Sequence, residues 1–140
     1  MSKKGKTILV VDDSPVMQKL TQKTLENDNF TVYSSYNGAE CLKDAKAKLP
    51  DIILMDVILP DSNGKEIVEK LQSDPDTEKI PIIFTTNTLG LEADDGSQIF
   101  EVNGHKYRAF AKPLHYRKLL STIRKEINRS IHGGDLPQGK

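Results

Sequence analysis

The sequence predicts an α/β fold, a doubly wound sheet of five parallel strands with helices on both faces. Short apolar runs alternate with helix-like segments five times along the 140 residues, which is typical of a parallel sheet covered by helices. The runs at 8–11 and 52–55 are continuously apolar, because a strand buried on both faces has no solvent side. The length suits one domain, which we assign to residues 5–130, with flexible tails at 1–4 and 131–140.

The first strand, at residues 8–11, leads into a helix with clear start signals. Ser14 is a good N-cap, and Pro15 is tolerated at the first helical position. An apolar stripe at helical spacing predicts the face that this helix buries. Its members are Val16, Met17, Leu20 and Leu25.

The middle of the chain continues the alternation. Residues 30–35 have the β-branched and aromatic content of a second strand. Asn37-Gly38 opens a second helix, and Pro50 closes it before the third strand. A loop over residues 59–64 then precedes a third helix, whose apolar positions are Ile67, Val68 and Leu71.

The carboxyl-terminal part contains one irregular stretch. Residues 87–103 show no clean period, and we expect a long loop followed by a short helix. Asp95 and Gln98 resemble a capping box at the start of that helix, and Asn103-Gly104 resembles its stop. The last helix of the chain is marked by apolar residues at helical spacing, namely Tyr116, Leu119, Leu120, Ile123 and Ile127.

Charge and composition narrow the classes of function. Twenty basic residues balance twenty acidic ones, so neither nucleic acid nor an anionic membrane finds a net electrostatic attraction. The basic start of the chain runs into a strand-length apolar segment, far short of the ~20 residues that span a bilayer. We therefore expect a cytoplasmic protein, in which the only cysteine, Cys41, is a partly buried small side chain.

Polar residues stand where four of the apolar runs end. Asp12 and Asp13 follow the first run, Asp56 the third, Thr86 the fourth and Lys112 the last. The carboxyl ends of parallel strands share one edge, so we expect these side chains to meet there. Three neighbouring carboxylates repel one another unless a cation intervenes, and Mg²⁺ or Mn²⁺ suits such oxygen ligands. The hydroxyl and the ammonium indicate a phosphoryl group as the second occupant.

Together these motifs resemble those of response regulator receiver domains. They are ILVVDDS at 8–14, DIILMD at 51–56 with Pro60 and Gly64 following, Pro81 leading to Thr86, and Lys112-Pro113. The resemblance implies the CheY-like form of the flavodoxin-like fold and a phosphorelay signalling domain. Such a domain is not an enzyme with a separate substrate, because it catalyses only its own phosphorylation and dephosphorylation. It accepts a phosphoryl group from a sensor histidine kinase or a histidine phosphotransfer protein and then changes its binding to a downstream protein.

The resemblance also implies roles for the acidic residues. Asp56 accepts the phosphoryl group through in-line attack by a carboxylate oxygen. Asp13 and Asp56 coordinate Mg²⁺ directly, the backbone carbonyl of Ile58 adds an oxygen ligand, and Asp12 acts through water. A cation held in this way screens the charge that develops during transfer.

The resemblance is incomplete where the output would be transmitted. It implies that Lys112 and Thr86 contact the phosphoryl group, and that an aromatic residue three positions before the lysine moves with the threonine. That position is Ala109, and Tyr107 lies two residues earlier on the same side of the strand. The interval between Thr86 and Lys112 is also longer than is typical. We therefore expect an unusual fourth-helix face and partner choice.

Three other interpretations stay open at this point. A nucleotide- or flavin-binding protein can share the fold, but the first strand-to-helix turn, Asp-Asp-Ser-Pro, lacks the glycines that cradle phosphates. A Mg²⁺-dependent aspartyl phosphatase would need another acid two residues after Asp56, where Ile58 stands. A receiver-like scaffold that is never phosphorylated would keep the fold without the chemistry.

Overall fold

The computed structural model describes residues 5–86, 98–112 and 114–131. The predicted tail at 1–4 lies outside these residues, as do Pro113, most of the irregular stretch and all but the first residue of the predicted tail at 131–140. Ile131, which we assigned to the tail, is still the last residue of the final helix.

The described residues form strands and helices that alternate up to the fourth strand. In chain order they are β1 (Thr7–Val11), α1 (Pro15–Asn27), β2 (Thr31–Ser35), α2 (Gly38–Lys48), β3 (Ile52–Asp56), α3 (Gly64–Gln72), β4 (Ile82–Thr86), β5 (Gln98–Val102), β6 (His105–Ala111) and α4 (Tyr116–Ile131). Within this part of the chain, no helix combines the length and the apolar character that crossing a bilayer requires.

The strands form one sheet in the order β2-β1-β3-β4-β6-β5. The neighbouring pairs β2-β1, β1-β3, β3-β4 and β4-β6 are parallel. The edge strand β5 pairs with β6 and is antiparallel to it. The chain winds from β1 outward to β2 and then returns past β1 to β3. The strand order therefore reverses beside β1, and this reversal opens a crevice at the carboxyl ends of β1 and β3.

Two buried clusters, one on each face of the sheet, show that the fold is doubly wound. On one face α2 and α3 cover the strand residues Leu9, Val11, Ile53, Met55 and Phe84. On the other face α1 and α4 cover Ile8, Val10, Ile52, Leu54, Ile83 and Phe110. The predicted apolar stripe of α4 is confirmed, since Leu119, Ile123 and Ile127 are all buried. Cys41 is fully buried as well.

The predicted apolar stripe of α1 is wrong at Val16 and Leu20, although Leu25 is buried and Met17 is half-buried. Val16 and Leu20 are 68% and 53% exposed, whereas Gln18 and Thr21 are buried together with Leu25. The helix is rotated in this way because its buried polar residues have partners. The hydroxyls of Thr21 and Tyr116 form a hydrogen bond of 2.9 Å, and the side chain of Gln18 bonds to strand carbonyls.

The predicted short helix before residue 103 is also wrong, because Gln98–Val102 is strand β5, the sixth strand of a sheet for which we expected five. Its residues alternate between more and less exposed positions with the period of a strand. Asn103 and Gly104 have φ values of 51° and 83°, which are the two positive φ angles of the tight turn that joins antiparallel strands. The Asn-Gly pair therefore closes a β5–β6 hairpin. Asp95, the other half of the expected capping box, lies outside the described residues.

Contacts among three aromatic rings pack the hairpin against the rest of the fold. The ring of Phe84 on β4 lies 5.3 Å from that of Phe100 and 5.7 Å from that of Tyr107. The side-chain amide of Gln72, at the end of α3, donates to the hydroxyl of Tyr107 at 2.6 Å and to the carbonyl of Val102 at 3.1 Å. Helix α3 and the hairpin are thus tied to each other.

Replacing Gly104 tests the hairpin turn. A Cβ at Gly104 would meet no atom within 4 Å, so Gly104→Ala creates no clash and only forces a left-handed backbone on a residue that disfavours it. We expect the free energy of unfolding to fall by about 1 kcal/mol in thermal or denaturant melts. Asn103→Gly is the matched control. It relieves a positive φ but loses the exposed hydrogen bond of 3.3 Å from the Asn103 amide to Gln72, so it should lower stability less than Gly104→Ala does. An unchanged melting temperature in Gly104→Ala would contradict the turn.

Candidate functional site

The acidic pair after β1 is fixed by the first turn of α1. The backbone N–H of Ser14 donates to Oδ1 of Asp12 at 2.9 Å, and Oγ of Ser14 accepts the N–H of Met17 at 3.2 Å as the N-cap of α1. The N-cap that the sequence predicts is therefore present. Asp12 is buried, while its neighbour Asp13 is exposed.

Asp56 is the last residue of β3 and is only 6% exposed. Its carboxylate accepts the backbone N–H of Ile58 at 3.3 Å. The loop that follows turns back sharply, and the N–H of Gly64 donates to the carbonyl of Val57 at 2.6 Å. A Cβ at Gly64 would lie 2.3 Å from the carbonyl oxygen of Asp56. Glycine is required there because the loop passes so close to the end of β3.

Lys112, beyond the end of β6, joins the two buried carboxylates. Its Nζ lies 2.6 Å from Oδ2 of Asp12 and 3.0 Å from Oδ2 of Asp56. The side chain of Lys112 is only 8% exposed, so the ammonium is nearly surrounded by protein. A charge-assisted pair of this kind is much less screened than a pair on the surface.

Thr86 lies beside this group at the rim of the sheet. Asp56 is in register with Thr85, so Thr86 extends one residue further toward the carboxyl edge. Its carbonyl accepts the backbone N–H of Lys112 at 2.9 Å. Thr86 is fully buried, and it is not among the described residues that line the cleft.

A cleft of about 580 Å³ opens above the carboxylates. Its lining consists of Asp12, Asp13, Ser14, Met17, Asp56, Ile58, Leu59, Pro60 and Lys112. Of the residues that the sequence nominates, the structure thus gathers all but Thr86 around one cavity. One oxygen from each of Asp12, Asp13 and Asp56 lies within 4.8 Å of the others.

The charges in this cleft do not cancel. Three carboxylates face one ammonium, which leaves an excess of negative charge when all are ionised. Burial raises the pKa of Asp56 despite the opposing effect of the hydrogen bond from Lys112. Burial also disfavours the charged form of Lys112, but the hydrogen bonds to Asp12 and Asp56 outweigh it, so the pKa of the ammonium is raised. The donor set, hard oxygens with surplus negative charge, has the chemistry that a small divalent cation requires.

Asp61 holds the loop after β3 in place, and the sequence analysis did not single it out. Its carboxylate accepts the N–H groups of Gly38 at 2.8 Å and Ala39 at 3.1 Å, the first two residues of α2. These bonds keep the pKa of Asp61 below its usual range. An acid in a loop three residues before a glycine is a weak signal, and only the fold shows that α2 begins beside it.

Gln18 is the second residue that sequence analysis missed. It is 1% exposed, and its side-chain nitrogen lies within 3.0 Å of three backbone carbonyl oxygens, including that of Asp12. Its only signal in the sequence is a polar residue among apolar ones near the start of a helix, which is equally typical of a solvent-exposed position.

Comparison with known proteins agrees with this geometry. The model of the response regulator receiver domain matches residues 8–124. PilH of Pseudomonas aeruginosa is 37% identical over 120 residues, which cover 83% of this chain and 93% of PilH. The polar-differentiation response regulator DivK of Brucella anthropi is 29% identical over 119 residues, covering 85% of this chain and 94% of DivK.

Solved structures show the same relationship. A CheY-like receiver domain from Methanospirillum hungatei superposes with a TM-score of 0.75 at 25% identity, covering 93% of this chain and 99% of that one. The receiver domain of the sensor histidine kinase PA1611 from Pseudomonas aeruginosa, whose structure has magnesium coordinated in the active-site cleft, also gives 0.75 at 25% identity, covering 89% of this chain and 98% of its own. The chain therefore belongs to the response regulator receiver domain family, the phosphorelay signalling domains of two-component systems.

Proposed function

We propose that Asp56 is the residue that accepts the phosphoryl group. A carboxylate oxygen forms a bond to phosphorus while the P–N bond of a donor phosphohistidine breaks, and the electron pair of that bond returns to the imidazole. The observation that carries this proposal is that Asp56 ends the central strand β3 at the floor of the cleft, paired to a buried lysine. Oxygen nucleophiles of this type form acyl phosphates.

The carboxylates of Asp13 and Asp56, with the carbonyl of Ile58, would hold Mg²⁺, or Mn²⁺ in its place, and Asp12 would act through a bound water. When bound, such an ion neutralises charge on the transferring group. The support is the surplus negative charge of three clustered carboxylates facing one ammonium. The magnesium-containing cleft of the PA1611 receiver domain is a further support.

The remaining polar residues would bind the transferred group. Lys112 already points its ammonium at Asp56, so it can move from the carboxylate to a phosphoryl oxygen with little displacement. Thr86, at the rim next to Lys112, would turn its hydroxyl toward the same group and draw the end of β4 inward. This movement would be the first structural consequence of phosphorylation.

The donor and the output are proteins in this proposal. Receiver domains interact with histidine kinases or phosphotransfer proteins, and we place this chain with such a donor and with a downstream protein target. Neither nucleic acid nor membrane is part of the proposal, because the formal net charge is zero. We place the protein in the cytoplasm and assign its chemistry to its own phosphorylation and dephosphorylation. The receiver unit would extend over residues 5–130.

Labelling tests the acceptor. Incubation with Mg²⁺ and a small acyl phosphate should add one alkali-labile phosphoryl group, detected by mass spectrometry. Asp56→Asn should abolish the labelling, because an amide is not a nucleophile for phosphorus. The control, Asp76→Asn, changes an aspartate in the loop after α3 whose side chain is 61% exposed, and it should label as the wild type does. Labelling that persists in Asp56→Asn would place the acceptor elsewhere, and a wild type that never labels would favour the scaffold.

Stability without metal tests the charge balance of the cleft. Because the pKa of Asp56 is raised on folding, the folded protein binds a proton that the unfolded chain releases, and stability falls as pH rises through that window. The ionised carboxylate of Asp56 therefore carries a free-energy penalty in the folded protein. Asp56→Asn removes it and should raise the free energy of unfolding by on the order of 1 kcal/mol in metal-free buffer. Mg²⁺ should raise the melting temperature of the wild type more than that of the variant, and a destabilised variant would contradict the argument.

Removing the lysine should separate metal binding from transfer. Lys112→Met deletes a cation that competes for the oxygens of Asp12 and Asp56, so calorimetry should show tighter Mg²⁺ binding. The labelling rate should nevertheless fall roughly 100-fold, because a donor to the phosphoryl oxygens is lost. Lys118→Met, on the exposed side of α4, is the matched control. Weaker Mg²⁺ binding or an unchanged labelling rate in Lys112→Met would overturn the role given to the lysine.

A further inference from the structure

Gln18 occupies an unusual place for an amide side chain. It lies in the second turn of α1, is 1% exposed, and projects back under the helix to the carboxyl edge of the sheet. Its Nε2 is 2.9 Å from the carbonyl oxygen of Val10, 3.0 Å from that of Asp12 and 2.9 Å from that of Ser35. Three acceptors thus surround a group that has two hydrogens.

The neighbours fix the orientation of the amide. If the side-chain oxygen stood in place of the nitrogen, it would face three carbonyl oxygens at close range, which is strongly repulsive. Oε1 itself is buried and has no hydrogen-bond partner among the described residues. A buried acceptor without a partner costs free energy. The hydrogen bonds from Nε2 to the three backbone carbonyls must therefore offset this cost.

Those carbonyls belong to the ends of β1 and β2. The carbonyl of Ser35 also accepts the N–H of Asp12 at 3.1 Å, which is the last hydrogen bond between these strands. Gln18 thus bonds on both sides of the point where the sheet stops and the acidic turn begins. Beyond the end of the sheet, the acidic turn is held by hydrogen bonds between its own residues, such as the bond of 2.9 Å from the N–H of Ser14 to Oδ1 of Asp12.

We propose that Gln18 is a positioning residue of the acidic cleft, whose amide fixes the carbonyl ends of β1 and β2 and thereby places the carboxylates of Asp12 and Asp13. The inference rests on the proposed function, in which these carboxylates hold a divalent cation. Gln18 touches neither the cation nor the phosphoryl group. It acts through the backbone of Asp12, as residues behind a metal ligand commonly do.

Gln18→Met tests the role, because methionine keeps the length and flexibility of the side chain and removes both donors. The matched control is Thr21→Val, which lies on the same buried face of α1, is 2% exposed and loses its hydrogen bond to Tyr116. Neither Thr21 nor Tyr116 lines the cleft. Both variants will lose stability. Measurements are made well below both melting temperatures, so that a purely structural role affects the two alike.

The first measurement needs no metal. Amide hydrogen exchange of the turn at residues 12–14 in metal-free protein should be at least roughly tenfold faster in Gln18→Met than in Thr21→Val. The second is a Mg²⁺ titration followed by the amide resonances of the same turn. Gln18→Met should raise the Kd for Mg²⁺ by about 10–100-fold, the range for residues behind a metal ligand, and Thr21→Val should leave it within about twofold of the wild type.

The outcomes separate this inference from the function on which it rests. Equal exchange and equal Kd in the two variants would overturn the positioning role while leaving the metal site intact. A wild type that does not bind Mg²⁺ would overturn both. If Gln18→Met fails to fold, Gln18→Asn replaces it, because asparagine keeps the amide but is one methylene too short to reach the three carbonyls. Wild-type exchange and Kd in Gln18→Asn would likewise overturn the role.

Discussion

The buried ammonium of Lys112 between the carboxylates of Asp12 and Asp56 is the interaction that most constrains the site, because it joins the ends of three strands. Each of the three side chains is less than 10% exposed, and removing such charges from water costs several kcal/mol per ion. The loss is offset only if the ends of β1, β3 and β6 bring the groups within hydrogen-bond distance. The charged group at this edge therefore depends on the parallel sheet that brings its members together.

The hairpin of β5 and β6 is where this receiver domain differs from the five-stranded parallel sheet that the sequence predicts. The aromatic position expected three residues before the lysine is Ala109, which is in register with Phe84. Phe84 packs instead on the rings of Phe100 and Tyr107. Because the hydroxyl of Tyr107 accepts a hydrogen bond from Gln72, Tyr107 cannot rotate without breaking that bond or moving the end of α3. A movement at the end of β4 would therefore displace three packed aromatic rings, one of them held by a hydrogen bond, and not one freely rotating ring.

The two turns that frame the cleft are held by side chains from elsewhere in the fold. Gln18 reaches from α1 to the end of β1, and Asp61 reaches from the loop after β3 to the start of α2. Both form hydrogen bonds with backbone groups where secondary structure ends or begins, the carbonyls at a strand end and the N–H groups at a helix start. The acidic turn after β1 is thus anchored to α1, and the loop that follows Asp56 is anchored to α2.

The sequence by itself determined the class of fold, the strand ends and the acidic residues and lysine of the cleft, because strongly apolar runs and their terminal polar residues are local signals. It misjudged α1, where Gln18 and Thr21 are buried and Val16 and Leu20 are exposed. It also misjudged Asn103-Gly104, since the same two residues can stop a helix or close a hairpin. Only the tertiary structure decided these cases, because each depends on a partner that the local pattern does not show: the carbonyl of Ser35 for Gln18, the hydroxyl of Tyr116 for Thr21, and the ring of Phe84 for β5.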